Sequence, residues 1–175
     1  MKHIIVFTDI GDTVVDEGTE VYEGDTVVSA DLIPGAYNTM RAIYDAGYPV
    51  VMVADGLVRS FHNTMERNGL ADIFSARIIS EEVGEDKPSA KMFQAAMDAL
   101  GLTDADKGRI IMVGNNLKRD ILGANRFGIH SVLIDWAPRR SMIPETDEEV
   151  PEYTIHTPAE LLPLVDRLEK EFIET

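Results

Sequence analysis

Five short apolar runs, each followed by a segment of helical pattern, constrain this chain more than anything else in it. They lie at 3–8, 49–54, 76–80, 109–113 and 130–135 and are rich in β-branched residues. Each is strand-length and too short for a typical buried helix. The segments between them have helical period. Pro34 to Gly47 opens on proline and closes on glycine, with Ala36, Met40, Ile43 and Tyr44 on one face. Val58 to Gly69 carries Phe61 and Met65. Ser89 is placed to cap a helix that runs to Leu100 with Met92, Phe93 and Ala96 inward. A shorter helix spans 118–127, and Pro158 opens a last one through about Phe172. Strand–helix alternation of this kind predicts an α/β fold: a three-layer, Rossmann-like parallel sheet with right-handed crossovers.

Residues 1–175 suit a single domain with a sizeable core. The segment 137–152 is polar, acidic and proline-bearing, which predicts a surface excursion before a short edge strand at Tyr153–His156. Only about 20 residues separate Thr13 from the Pro34 helix, a loop-scale spacing. Residues 14–33 can form a β-hairpin flap, with Gly18 and Gly24 at turns, but not a helical domain.

The formal net charge of −15 excludes general binding to nucleic acid or to an anionic membrane, since both need a positive face. There is no cysteine, so disulfides and thiolate metal sites are excluded. No signal-peptide pattern follows Met1, and no apolar stretch is long enough to span a bilayer. The expectation is a soluble cytoplasmic protein.

The polar residues that close the strands carry the chemistry, because open α/β sheets bind ligands at the carboxyl ends of their strands. The first run delivers Asp9-Ile10-Gly11-Asp12-Thr13. The second ends in Ala54-Asp55-Gly56, Lys87-Pro88 follows the third, and the fourth runs into Gly114-Asn115-Asn116 with Asp120. An aspartate, a lysine and a GNNxxxD turn, in that order, resemble the haloacid dehalogenase superfamily over essentially the whole chain.

That resemblance implies a sheet of strand order 5-4-1-2-3 without a helical cap domain, and a role for each strand end. Asp9 is implied as the nucleophile, forming an aspartyl-phosphate, and Lys87 as the cation that pairs with it and with the phosphoryl group. Mg²⁺ is implied at Asp9, the Gly11 carbonyl, Asn115 and Asp120, with fewer charges than usual and weaker binding. Substrate contact falls to Ala54, Asp55 and Gly56, where the backbone amides of Asp55 and Gly56 can cradle an anion while the Asp55 charge repels a phosphate; Arg59, by its place just after Gly56, is a local source of positive charge. Three positions depart from the pattern. Gly11 replaces the usual acid/base aspartate, Ala54 a hydroxyl residue, and Asn115 an aspartate. Asp12, one residue on, is either a displaced acid/base or a carboxylate that caps the turn. Trp136, Arg139 and Arg140 are expected near the same edge. His62, His130 and His156 have no metal-ligand spacing.

The first functional reading is a Mg²⁺-dependent phosphomonoesterase acting on a small phosphate ester or another anion, with weak activity and with a homo-oligomer covering an open site. The three departures support a second reading, a catalytically eroded binding protein of the same fold. A third is metal-free hydrolysis at carbon, as in the dehalogenases, for which the missing cap is a difficulty.

Overall fold

The computed structural model describes residues 2–137 and 139–174. Met1, Thr175 and Pro138, the last within the expected surface excursion, lie outside the described residues. The main sheet has six parallel strands: β1 (Ile5–Thr8), β4 (Val50–Ala54), β5 (Ala76–Ile79), β6 (Ile110–Gly114), β7 (His130–Ile134) and β8 (Tyr153–Ile155). Their order is β5-β4-β1-β6-β7-β8. The expected five-strand order runs inside this sheet, and β8 extends it beyond β7. A hairpin of β2 (Val21–Glu23) and β3 (Thr26–Ser29) forms a separate antiparallel pair, turning at Gly24 with φ 60°. Gly18 is also at a turn, the 3-10 turn Glu17–Thr19 that precedes the hairpin.

Both faces of the central strands are buried, as a parallel sheet requires. The period of two sorts their side chains between two cores. Ile4, Val6, Val50, Met52, Ile111 and Val113 face one side, against Met40 and Ile43 of α1 (Ala36–Asp45), Met65 of α2 (Val58–Arg67) and the apolar stripe of α6 (Leu161–Ile173). Ile5, Phe7, Val51, Val53, Ile110 and Met112 face the other, against Met92, Phe93, Ala96 and Met97 of α4 (Ala90–Ala99) and Ala124 of α5 (Leu122–Phe127). A further short helix, α3 (Ser80–Val83), follows β5 and has no counterpart in the sequence reading.

Glu169 on α6 ties residues 3 and 4, just before the first strand, to that helix. Its buried carboxylate accepts from the amides of His3 and Ile4, at 2.9 Å each from Oε2, and lies 3.0 Å from His3 Nδ1. The hairpin is fixed to α2 in turn. Ser60 Oγ accepts from the Val27 amide (2.9 Å), and the Asn63 amide donates to the Val27 carbonyl (3.0 Å). Among the described residues, no helix is long and apolar enough to cross a membrane.

Candidate active site

β1 ends between β4 and β6, so its last residues stand at the centre of the sheet's carboxyl edge. Asp9 continues from it, with its amide bonded to the Val113 carbonyl (2.9 Å). Lys87 enters from the loop after α3. Its Nζ donates to Asp9 Oδ1 (3.0 Å), Asp120 Oδ1 (2.7 Å) and the Val53 carbonyl (2.7 Å). The Lys87 and Asp120 side chains are each 1% exposed and that of Asp9 is 15%, so Asp9 is the end of this network that a ligand can reach. Burial pulls the Lys87 pKa down, but Asp120, Asp9 and Asp55 outweigh it and hold the ammonium charged. Burial, with the charge of Asp9 adding to it, pushes the Asp120 carboxyl above the ordinary range against the pull of Lys87.

Asp120 is delivered by a π-helical turn at Leu117–Ile121 that runs into α5. Single π-helical turns are frequent at functional sites. Asn116 caps it, accepting from the Lys118 amide (3.0 Å), while its own amide donates to Asp120 Oδ2 (3.0 Å). Gly114 makes room: a β-carbon there would lie 2.2 Å from the Asp120 carboxyl carbon.

Asp9, Gly11, Asp55, Gly56, Lys87, Asn115 and Asp120 line one cleft of about 340 Å³. The structure therefore brings most of the expected positions together. Two stand apart from the lining. Ala54 is fully buried in β4, and Arg59 lies in a different shallow groove with Glu23, Thr26, Val28 and Asn63, on the hairpin side of α2. The anion cradle also differs from expectation. The Gly56 amide is engaged by Ser80 Oγ (2.9 Å), so it is not free for a ligand in this arrangement. Asp55 does not present a bare charge either. Its Oδ1 accepts from the Lys87 amide (2.9 Å) and its Oδ2 from Arg119 Nη1 (3.2 Å). Burial raises its pKa, partly opposed by Lys87.

Asp12 is a turn residue. It is fully buried with φ 49°, a left-handed conformation that aspartate tolerates. Its Oδ1 accepts from the Glu17 amide (3.0 Å) and its Oδ2 from Arg139 Nε (2.9 Å). It does not line the cleft.

Four charged cleft residues carry no signal in the sequence reading: Glu17, Glu20 and Asp25 from the flap, and Arg119 from the π-turn. Arg140, expected near this edge, lies there, 3.6 Å from Glu17 Oε2. Burial, followed by the charge of Asp12, raises the Glu17 pKa, while Arg140 opposes the shift.

Among the described residues, no three acidic or histidine side chains gather closely enough to hold a metal by themselves. A cation would rest on Asp9 and Asp120 together with neutral oxygens. Asn115 is buried, and its Nδ2 has no hydrogen-bond partner. Turning the amide over exchanges nitrogen and oxygen and puts an acceptor at that unpartnered point. Two carboxylates, this amide oxygen and the Gly11 carbonyl are hard donors of the kind Mg²⁺ takes. The residues present fit the ion.

A profile of the haloacid dehalogenase-like hydrolases matches residues 4–128. Over 141 residues the chain is 34% identical to a glyceraldehyde 3-phosphate phosphatase of Methanopyrus kandleri, covering 81% of this chain and 58% of that one. It is 30% identical to a ribulose-1,5-bisphosphate 5-phosphatase of Halopiger xanaduensis, covering 77% and 56%. It thus spans a little over half the length of these relatives. A crystal structure described as a HAD phosphatase from Thermococcus onnurineus superposes with a TM-score of 0.75 at 19% identity, covering 93% of this chain and 97% of that one, which is a likeness of fold.

Proposed function

The chain belongs to the haloacid dehalogenase-like hydrolases, and from that premise we propose that it is a Mg²⁺-dependent phosphomonoesterase working through an aspartyl-phosphate on Asp9. The observation that carries this reading is the convergence on Lys87 Nζ of a reachable carboxylate, Asp9, and a buried one, Asp120, at 3.0 and 2.7 Å. The phosphatase names of its relatives support it.

In this reading the free oxygen of Asp9 attacks phosphorus, and the phosphate ester oxygen leaves. Lys87 stays charged throughout. It orients Asp9 through Oδ1 and offers positive potential where negative charge accumulates on the phosphoryl oxygens. Asp120 fixes the ammonium from behind. Asp55 neutralises no substrate charge. It clamps the Lys87 backbone and places Arg119 at the mouth of the cleft, where a second anionic group of the substrate would meet it. A Mg²⁺ held by Asp9, the Gly11 carbonyl, Asn115 and Asp120 would neutralise phosphoryl charge as the carboxylate approaches.

The substrate class is a small phosphate ester. The short hairpin between β1 and α1 stands where a helical cap would otherwise be inserted, so the cleft is read as capless and open to water, with a second copy of the chain as the candidate cover. A binding role is the second reading. It is favoured by Ala54, which has no hydroxyl, and by the Gly56 amide, which is already bonded to Ser80.

The test is a panel of phosphate esters with and without Mg²⁺, repeated on Asp9→Asn. Mg²⁺-dependent phosphate release that disappears in the variant is the expected result. No release from any ester would overturn the reading in favour of binding.

A further inference from the structure

We propose that Glu17 is the acid/base residue of this site, its carboxyl reaching from the flap into the space that an aspartate side chain on residue 11 would fill. This rests on the phosphomonoesterase reading above.

The geometry at Gly11 is specific. A β-carbon built there would lie 2.2 Å from Glu17 Oε1, 2.9 Å from its Cδ and 3.0 Å from its Cγ. In aspartate itself the β-carbon and a carboxylate oxygen are separated by about 2.4 Å, from standard bond lengths. Glu17 Oε1 therefore stands at about the radius at which a carboxylate oxygen would stand if residue 11 were an aspartate. A side chain on residue 11 and the Glu17 carboxyl, as placed, exclude each other.

The local chain explains how Glu17 reaches that point. The left-handed Asp12 reverses the backbone, and its Oδ1 takes the Glu17 amide at 3.0 Å. The 3-10 turn starts at Glu17, with Asp16 Oδ1 accepting from the Gly18 amide at 2.9 Å. Arg140 Nη1 lies 3.6 Å from Glu17 Oε2. One oxygen of the carboxyl thus faces a guanidinium and the other lies over residue 11, and Glu17 and Asp9 line the same cleft. Asp12, the sequence neighbour, cannot take this part, since both its oxygens are engaged by Glu17 and Arg139.

Bonds and protons balance over the two steps. In the first step an Asp9 oxygen bonds to phosphorus, the bond from phosphorus to the ester oxygen breaks, and that oxygen takes the Glu17 carboxyl proton. In the second, Glu17 carboxylate takes a proton from water as the water oxygen bonds to phosphorus. The Asp9–phosphorus bond breaks, leaving orthophosphate, free Asp9 and a protonated Glu17.

The experiment uses the full chain with Mg²⁺, comparing p-nitrophenyl phosphate, whose leaving group needs no proton, with glycerol phosphate, whose leaving group does. Glu17→Gln is expected to lose about 10²–10⁴-fold in kcat on glycerol phosphate, the range for a lost general acid/base. On p-nitrophenyl phosphate it should release a burst of one nitrophenolate per site and then stall. Intact mass should then show one phosphoryl group retained, and the burst itself counts folded sites. The exchange Gly11→Asp with Glu17→Gly should restore alkyl ester turnover to within about tenfold of the original, from the same range, whereas Gly11→Asp alone collides with Glu17. Glu17→Gln turning over both esters like the unaltered protein overturns the proposal and leaves the Asp9 reading standing. So does an equal loss on both esters with no retained phosphoryl group. If the unaltered protein cleaves neither ester and Asp9 is never phosphorylated, the phosphatase reading falls and this assignment falls with it.

Discussion

The carboxyl carbon of Asp120 lies 2.2 Å from the point a β-carbon on Gly114 would occupy. The last residue of β6 and the π-turn that follows it are therefore fitted to each other, and Asp120 reaches Lys87 only because residue 114 has no side chain. Gly114→Ala has to push the carboxyl away from both Nζ and the Asn116 amide. We expect a loss of about 1–3 kcal/mol, as for other overpacked interiors, together with reduced phosphatase activity. Urea denaturation and an ester assay on the same preparation check this. Unchanged stability would show that the strand end has slack.

Lys87 is the only cation bonded to Asp9 and to Asp120 among the described residues. Lys87→Met fills similar volume and leaves two carboxylates with no counter-charge, one of them fully enclosed. Removing one partner of a buried pair costs about 3–5 kcal/mol. Phosphate release should vanish along with that stability. Adding Asp120→Asn to the same chain should recover a good part of the stability and none of the activity, which separates the structural duty of the lysine from its chemical one.

A third carboxylate among the donors proposed for the ion should draw Mg²⁺ more strongly. Asn115→Asp is expected to tighten binding by roughly tenfold, since ligand charge count tunes affinity in oxygen-donor sites. Titration calorimetry on both proteins decides it, and equal affinities would mean that Asn115 does not touch the ion.

What could be read in the chain, and what could not, follows from how local each signal is. The five apolar runs and the order of Asp9, Lys87 and Asp120 are contiguous patterns, so the sheet and the meeting of these residues at one edge are legible in the sequence, whereas the ion pair between Lys87 and Asp120 is not. Ala54 is still the end of a strand, but its side chain turns into the core, and Arg59 faces the hairpin. Those orientations depend on where α2 leaves the strand. Glu17 had no local signature at all. Its reach toward residue 11 depends on a left-handed turn at a non-glycine residue, and the only hint was the glycine itself, standing where an acid was wanted. The engagement of the Gly56 amide by Ser80 was equally hidden, because α3 is too short to leave a periodic trace.

The clamp on the first strand gives a pH-dependent prediction. Burial pushes the Glu169 pKa up, but the hydrogen bonds from the Ile4 amide and from His3 outweigh it and leave it below its ordinary value of 4.5. The unfolded chain therefore binds the proton more tightly than the folded one. The stabilisation is complete above the unfolded value and is lost as pH falls through the lowered one. Glu169→Gln should cost about 1–3 kcal/mol at neutral pH, the penalty for leaving a buried donor unsatisfied, and much less in acid. Denaturant titrations at the two pH values check the sign, and a cost independent of pH would assign the effect to packing.

Two stretches far apart in the chain share one set of charges. Arg139 bonds to Asp12 and Asp16, and Arg140 stands beside Glu17. The turn below the hairpin and the loop after β7 are thereby bolted together by guanidinium groups that remain about 42–43% exposed. Exposed ion pairs are screened by salt, whereas buried ones are screened much less. The pairs to Asp16 and Glu17 should therefore weaken as ionic strength rises, while the bond from Arg139 to buried Asp12 and the Lys87 network hold. Amide hydrogen exchange at rising salt would show the start of the flap opening while residue 12 stays protected, a salt-sensitive rim around a salt-resistant centre.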